Sequence, residues 1–262
     1  MQLELPLTDE RRSEIEQAMR ESAANAAPNE MCGAVVKNDS GVYFVEMTNG
    51  HEDPKNYFKL RAQDLAHIED NNEILAIAHS HPKHSAELSA MDAYSSRLHN
   101  KPFVVVGHDG TVKWHAVPAP LPLLGREYVH DVVDCFTIVR DYFARELGIH
   151  INDFERKDGW WRDPDHPSLY LENFEKEGFV RVPKEDLRRN DVLLVRLGET
   201  AHVNHALIYL GDDGKLKSEQ TPDCIGKTLY LHHPHGGLSV RKILGNDLYS
   251  KAEYVVRHRS LM

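Results

Sequence analysis

A short histidine-containing run that directly follows an apolar segment constrains the fold of this chain more than any other feature. Residues 74–78 (Ile-Leu-Ala-Ile-Ala) have the length and composition of a buried strand. Pro82 ends that strand shortly afterwards. Because successive side chains of a strand point to opposite faces, we expect His79 and His81 to share one face of the sheet. The strand end therefore presents two imidazoles side by side.

A helix that begins after the histidines adds a carboxylate to the same place. Ser89 is a typical helix N-cap, so we expect a helix over residues 90–98 with Asp92 in its first turn. Two imidazoles, a carboxylate and an open position for water form the ligand set of a catalytic zinc, although iron or manganese ligation is conceivable. In a chain with 17 histidines a His-x-His pair alone is a weak indication. The proline, serine and aspartate at these spacings favour a metal site.

The same residues carry a resemblance to a known family. The order His-Ser-His-Pro, six residues, Ser, two residues, Asp resembles the signature of the JAMM (MPN-plus) metallopeptidases. In that family a glutamate on an earlier element completes the site, and the segment Pro-Asn-Glu-Met-Cys-Gly supplies Glu30. By this resemblance Glu30 is the general base for a zinc-bound water, and Ser89 hydrogen-bonds the oxyanion. The implied zinc ligands are His79, His81 and Asp92.

Composition and charge limit the classes of partner. At 262 residues the chain exceeds one typical domain, so two domains are expected. The net charge of −10 argues against a nucleic-acid or anionic-membrane binder. No apolar run approaches membrane-spanning length and the N-terminal sequence does not match a signal peptide, so we expect no membrane insertion. An odd number of cysteines predicts reduced thiols in a cytoplasm; they are Cys32, Cys135 and Cys224.

The first half of the chain alternates helical and strand patterns, which predicts an α/β sandwich with a mixed sheet. A helix is expected over residues 9–24, capped by Thr8 or Asp9, and another over residues 62–71. Turn residues between β-rich segments predict two hairpins. Their strands are expected at residues 33–37 and 42–47, and at residues 103–106 and 111–117.

A proline-rich stretch then interrupts the pattern. Pro118, Pro120 and Pro122 cannot continue a helix or a central strand, and they form a stiff extended spacer. We therefore place the domain boundary here, with one domain at residues 1–118 and the other at residues 119–262. A proline-rich loop inside a single domain is the alternative, which is less favoured because a complete second pattern follows.

The second half places a cysteine at the start of a helix. Apolar spacing predicts a helix over residues 136–147 that Gly148 ends, so Cys135 lies at the helix N-terminus. The positive end of the helix dipole is expected to lower the pKa of this thiol, while Asp134 caps the helix and turns away from the sulfur. Alternating patterns predict later strands at residues 191–197, 205–210 and around 229–231.

Histidines on two of these strands complete a nucleophilic set. We expect His205 and His232 on neighbouring strands facing Cys135, which would join a thiolate, an imidazole base and an orienting partner. Buried unreactive cysteines are common, so the helix position alone is a weak indication. Asp-Cys at the helix start, Asn-His-Ala-Leu-Ile-Tyr-Leu-Gly around His205 and Tyr-Leu-His at His232 resemble the motif blocks of the NlpC/P60 cysteine peptidases.

This second resemblance implies roles for four residues. Cys135 matches the nucleophile, His205 the base and His232 the residue that orients the base. Tyr128 matches a family tyrosine that lies near the thiolate.

Two features depart from the NlpC/P60 pattern. Phe136 replaces the serine that commonly follows the cysteine, and residues 213–227 have the character of an insertion. The insertion leaves open whether His232 or His233 orients the base.

A JAMM domain followed by an NlpC/P60 domain resembles the tail assembly protein K family of lambda-type tailed phages, over nearly the whole chain. The resemblance implies an α/β (α+β) chain with an N-terminal mixed-sheet sandwich and a C-terminal papain-like domain. It also implies zinc-dependent amide or isopeptide hydrolysis by the first domain. The second domain would use its thiol to hydrolyse peptidoglycan stem peptides.

Two classes of function are compatible with the sequence. The first is an active bifunctional peptidase, and the alternative is a non-catalytic tail assembly factor that uses one or both folds only for docking. The expected partners are other tail-tip proteins and peptidoglycan stem peptides, with no nucleic acid. The expected location is the host cytoplasm during assembly, and the sequence leaves open whether the protein also enters the virion tail tip.

Overall fold

The computed structural model describes residues 7–224 and 226–262, and the chain divides into two compact units. The first unit comprises Met1–Pro120 and the second Leu121–Met262. Each unit has its own sheet and its own buried cores. No helix in the described part of the chain combines the length and the apolar character needed to cross a membrane.

One mixed sheet organises the described part of the first unit. Its strand order is β2-β1-β3-β4-β5, and the strands are β1 (Cys32–Asn38), β2 (Gly41–Met47), β3 (Glu73–Ser80), β4 (Phe103–Val106) and β5 (Val112–His115). Only β3 and β4 pair in parallel, whereas the other neighbours pair antiparallel. The mixed sheet that the sequence predicts is therefore confirmed.

Helices cover both faces of this sheet, because successive residues of β1 are buried on opposite sides. Val35 packs with Ile15 and Met19 of the first helix, α1 (Asp9–Ala26). On the other face, Ala34 and Val36 of β1 pack with Ile68 of the second helix, α2 (Ala62–Glu69). Thr8 caps α1 by accepting a hydrogen bond from the Arg11 backbone N–H, so Thr8 rather than Asp9 is the cap. The third helix is α3 (Ala90–His99).

An antiparallel sheet organises the second unit. In its described residues six strands follow the order β10-β9-β8-β7-β11-β6. They are β6 (Phe179–Val182), β7 (Val192–Val195), β8 (His205–Gly211), β9 (Leu229–His232), β10 (Val240–Ile243) and β11 (Ala252–His258). The sequence patterns predict the strands at β7, β8 and β9, and the structure adds the other three.

Two helices of the second unit pack on one face of that sheet, whereas Leu248 and Tyr249 of a third helix pack on the other face. Helix α4 (Cys135–Tyr142) continues as a π-helical turn, Phe143–Leu147, which Gly148 ends with a φ of 69°. Helix α5 (Leu169–Lys176) contributes Tyr170 and Phe174 to the same core. The short helix α6 (Asn246–Lys251) precedes β11.

The inserted segment is tied to α4 by a carboxylate. Glu146, in the π-helical turn, accepts hydrogen bonds from the backbone N–H groups of Lys217 and Ser218. Leu216 beside them is buried in the main core of the unit. The segment is thus part of the packed unit.

We expect residues 1–118 and 119–262, expressed separately, each to fold and to unfold cooperatively, because each unit has its own sheet and core. Circular dichroism and calorimetry of the two fragments measure this. A fragment that is unfolded alone but folded in the full chain would contradict the domain boundary.

Candidate metal centre and thiol site

The end of β3 and the first turn of α3 bring three potential metal ligands together. His79, His81 and Asp92 are all buried, and their ligand atoms form one tight cluster. The two Nε2 atoms of the histidines lie 3.0 Å apart. Asp92 Oδ1 lies 3.2 Å from His79 Nε2, and Asp92 Oδ2 lies 3.2 Å from His81 Nε2. Both histidines thus direct the same ring nitrogen at one carboxylate.

These separations fit the face of a zinc coordination tetrahedron. With metal–ligand bonds of about 2.0–2.1 Å, the ligand atoms of a tetrahedral site lie about 3.3 Å apart. The three observed separations, 3.0, 3.2 and 3.2 Å, are close to that value. The donor set of two imidazoles and a carboxylate leaves a fourth position for water. The residues present therefore fit a divalent metal.

A hydrogen bond fixes which nitrogen of His81 is free to bind, and aromatic rings hold the His79 ring. His81 Nδ1 donates to the Ser85 carbonyl at 2.9 Å, so its Nε2 carries the lone pair when the ring is neutral. His79 is stacked on Phe58, with ring centroids 4.4 Å apart, and Phe103 packs edge-on against it at 5.6 Å. Burial lowers the pKa of His79, which keeps the ring in the neutral form that metals bind.

Asp92 is held as a carboxylate despite its burial. Burial alone would raise its pKa, but the His79 imidazole and hydrogen bonds from His79, His81 and Ser89 hold the pKa well below its usual range. The cluster therefore offers a negative charge to a cation.

Glu30 lies just before β1, at the same end of the sheet. Cys32 is opposite His79 in the antiparallel register, which places Glu30 opposite His81. Burial raises the pKa of Glu30 to about 7, with the charge of His81 lowering it and those of Asp92 and Asp53 raising it. A carboxylate with a pKa near neutrality can both accept and release a proton at physiological pH.

Ser89 caps α3 and also fixes the aspartate. Its hydroxyl oxygen accepts the Asp92 backbone N–H at 3.1 Å, while Asp92 Oδ2 accepts the Ser89 backbone N–H at 2.8 Å. This reciprocal capping box holds the carboxylate in place, and a hydrogen bond from the Ser89 side chain also lowers the pKa of Asp92. Ser89 itself is exposed.

The second site lies at the start of α4, where Asp134 caps the helix as the sequence predicts. Asp134 Oδ1 accepts the backbone N–H groups of Phe136 and Thr137 at 3.0 and 2.9 Å. Its Oδ2 pairs with the buried guanidinium of Arg156 at 2.9 Å. The first residue of the helix is Cys135.

The expected low pKa of the Cys135 thiol is wrong. The residue is only 4% exposed, and burial, followed by the negative charge of Asp134, raises the pKa of its thiol to about 11. A helix terminus favours the thiolate, but removal from water opposes it more strongly here. Cys135 is therefore a neutral thiol in this structure.

His205 and His232 face each other on the neighbouring strands β8 and β9, with His205 Nε2 3.0 Å from His232 Nδ1. Burial and the neighbouring histidines lower the pKa of His205 to about 3, and burial lowers that of His232 to about 4. Both rings are therefore neutral. His233 instead donates from Nε2 to the Arg126 carbonyl at 2.9 Å. The structure thus brings His232, and not His233, to His205.

Two tyrosines lie near the thiol, and the sequence resemblance indicates only Tyr128. Tyr128 is half-buried, its hydroxyl lies 3.3 Å from His130 Nδ1, and burial and the charge of Cys135 raise its pKa. The hydroxyl of Tyr170 is the one that contacts the sulfur, at 3.0 Å. Tyr170 lies on α5, far along the chain, and no local pattern in the sequence indicates this contact.

Comparison with known proteins gives a family match to each unit. The family described as prokaryotic homologs of the JAB domain matches residues 12–117. The NlpC/P60 family matches residues 125–258, about half of the chain.

Two curated proteins are similar to the chain over most of its length. Tail tip assembly protein K of Escherichia phage lambda is 34% identical over 198 residues, which cover 76% of this chain and 88% of that protein. The protein of the same name from Escherichia phage N15 is 26% identical over 248 residues, covering 93% of this chain and 94% of that protein. A solved JAB1/MPN domain protein from Archaeoglobus fulgidus is 16% identical, covers 40% of this chain and 85% of its own, and has a TM-score of 0.27, too low to carry an argument.

In the native protein we expect iodoacetamide to label Cys224 before Cys135 at neutral pH, because Cys224 is half-buried whereas Cys135 is a buried neutral thiol. Peptide mapping after brief alkylation measures the order. Alkylation in denaturant, which should label both cysteines alike, is the control. Faster labelling of Cys135 in the native protein would contradict this account.

Proposed function

Because the chain belongs to the family of the phage tail tip assembly protein K and joins a JAB-type domain to an NlpC/P60 domain, we propose that it acts in tail tip assembly as a peptidase with two sites. The observation that carries the catalytic part is the convergence of two imidazoles and a carboxylate within 3.0–3.2 Å.

The first site is proposed to bind zinc through His79, His81 and Asp92 and to hydrolyse amide or isopeptide bonds. Zinc supplies a water of lowered pKa and polarises the scissile carbonyl when it is bound. Glu30 accepts the proton of the attacking water and returns it to the leaving amine, a role that its pKa of about 7 suits. Ser89, which is exposed at the start of α3, donates its hydroxyl hydrogen to the oxyanion.

The second site is proposed to hydrolyse peptidoglycan stem peptides, at a γ-D-glutamyl bond to a diamino acid. Cys135 attacks the carbonyl after passing its proton to His205, and His232 holds the His205 ring in place through the contact between them. Burial disfavours the thiolate of Cys135 and the imidazolium of His205 when either charge forms alone. The thiolate and imidazolium stabilise each other, which offsets part of that cost. Tyr128, whose pKa the nearby Cys135 raises, is proposed to act beside the thiolate.

The second candidate is an assembly factor that uses one or both folds only to dock on other tail-tip proteins. The buried neutral state of Cys135 favours this candidate for the second site. In both cases the proposed partners are tail-tip proteins, met in the host cytoplasm during assembly, and the catalytic proposal adds stem peptides. The two candidates differ in whether substitutions at the sites abolish hydrolysis.

We expect the purified protein to contain about one zinc per chain and Asp92→Ala to lose it, because the carboxylate supplies the negative charge of the cluster. Elemental analysis measures the content. Asp109→Ala, which removes an exposed carboxylate of the same unit, should keep the metal.

Glu30→Gln should also keep the zinc but lose hydrolysis of tail-tip protein substrates, because the amide cannot accept a proton. For the wild type the rate should fall as the pH drops and Glu30 is protonated; bound zinc shifts that midpoint below 7. Full zinc binding by Asp92→Ala would refute the metal site, and normal cleavage by Glu30→Gln would refute the base.

A synthetic stem peptide with a γ-D-glutamyl–diamino acid bond tests the second site. We expect Cys135→Ala to lower the hydrolysis rate by roughly a thousandfold or more, because the nucleophile is removed. Cys224→Ala should leave the rate unchanged, since that cysteine lies outside the site. Product analysis by mass spectrometry measures both rates. A wild type without activity, or an active Cys135→Ala protein, would favour the non-catalytic assembly factor.

A further inference from the structure

Tyr170 makes a contact that the proposed triad does not include. Its hydroxyl oxygen lies 3.0 Å from Cys135 Sγ, and the side chain is only 3% exposed. The tyrosine projects from α5, whereas the cysteine begins α4. The contact therefore depends on how two helices pack on the same core.

The rings around Tyr170 leave its hydroxyl a single partner. Trp160 lies 5.3 Å from the Tyr170 ring, and Phe154, Phe174 and Phe136 lie at 6.3, 6.2 and 6.5 Å. Within residues 7–224 and 226–262, Cys135 Sγ is the hydrogen-bond partner found for this hydroxyl. A phenol is a good donor and a thiol a weak one, so the O–H of Tyr170 donates to the sulfur.

A second group favours the thiolate. A hydrogen bond from the backbone of Ala206, the residue after His205, acts to lower the pKa of the Cys135 thiol. The N-terminus of α4 adds the positive end of a helix dipole. Donors and a positive dipole that converge on one sulfur are arranged for a negative charge on it.

Other charged and titratable groups act on the sulfur from the neighbouring elements. Asp134 raises the pKa of the thiol and the guanidinium of Arg156 lowers it. Tyr128 is neutral because burial raises its pKa, and His205 on β8 is neutral because burial lowers its pKa to about 3. No imidazolium therefore assists ionisation before the proton moves, and the hydrogen bond from Tyr170 acts beside the Arg156 guanidinium to favour the thiolate.

We propose that Tyr170 is a catalytic residue of the thiol site, whose hydroxyl donates a hydrogen bond to the Cys135 thiolate. The proposal rests on the proposed function for the reaction itself. In that step the S–H bond of Cys135 breaks and its proton goes to Nδ1 of His205, since Nε2 faces His232. Tyr170 keeps its own proton throughout. When the sulfur attacks the carbonyl carbon, the hydrogen bond to the sulfur weakens.

Two substitutions at position 170 change the strength of the hydrogen-bond donor in opposite directions. Tyr170→Phe removes the hydroxyl, and site-specific replacement of Tyr170 by fluorotyrosine makes it a stronger donor with almost the same shape. Tyr142→Phe is the matched control, because Tyr142 is another buried tyrosine of this core whose hydroxyl donates to Asn190 at 2.7 Å. It removes one buried hydrogen bond elsewhere in the unit.

The readout is the titration of Cys135 in the full chain, followed by the Cβ chemical shift of isotopically labelled cysteine. The Cys135→Ala protein assigns the signal. Loss of a hydrogen bond to a charged group should raise the titration midpoint in Tyr170→Phe by about one pH unit or more, a tenfold loss of thiolate at a given pH. Fluorotyrosine should lower the midpoint, and Tyr142→Phe should leave it unchanged.

Alkylation at one fixed pH below the midpoint gives a second measure. Tyr170→Phe should react about threefold more slowly with iodoacetamide, because the rarer thiolate is also a stronger nucleophile. An unchanged or lower midpoint in Tyr170→Phe, or a higher one with fluorotyrosine, would overturn the proposal. If the Tyr170→Phe protein fails to fold, the titration midpoint of the fluorotyrosine protein tests the proposal on its own.

These measurements use no substrate, so they separate this inference from the proposed function. If Cys135→Ala still hydrolyses the stem peptide, the proposed function fails whatever Tyr170 does. If Cys135→Ala is inactive and Tyr170→Phe titrates like the wild type, only the role of Tyr170 is wrong.

Discussion

Both candidate sites depend on a reciprocal cap at a helix N-terminus. At α3, Ser89 and Asp92 exchange side-chain and backbone hydrogen bonds, which fixes the carboxylate that faces His79 and His81. At α4, Asp134 and Thr137 form the same kind of box, and this places Cys135 as the first helical residue. Each candidate site therefore lies at a helix start that a capping box fixes.

The two caps create opposite electrostatic conditions. The Asp92 carboxylate at α3 faces inward and stays ionised despite its burial, so it offers a negative charge to a cation. At α4 the carboxylate of Asp134 is turned to backbone N–H groups and to Arg156, and its negative charge, together with burial, raises the pKa of the Cys135 thiol. The first site thus suits the proposed metal, whereas the proposed reaction at the second site requires a proton transfer in a buried environment.

The sequence predicts those parts of the structure that are set by neighbouring residues. The strand before His79, the Ser89 cap and the Asp134 cap all follow from residues a few positions apart. Strand β11 lies between β7 and β6, but its pattern contains Arg257, a charged residue whose burial becomes possible only through the ion pair with Asp191. The raised pKa of Cys135 and its contact with Tyr170 likewise depend on tertiary burial, which local patterns do not encode.

The first unit is proposed to bind zinc through two imidazoles and one carboxylate. X-ray absorption at the zinc edge of the full chain tests this proposal directly, because nitrogen and oxygen ligands lie at about 2.0–2.1 Å and sulfur at about 2.3 Å. Cys32 lies opposite His79 in the strand pairing and is the nearest alternative ligand in register. The account predicts only nitrogen and oxygen ligands, with two imidazoles among them. A sulfur ligand, or a shell without imidazole, would contradict it.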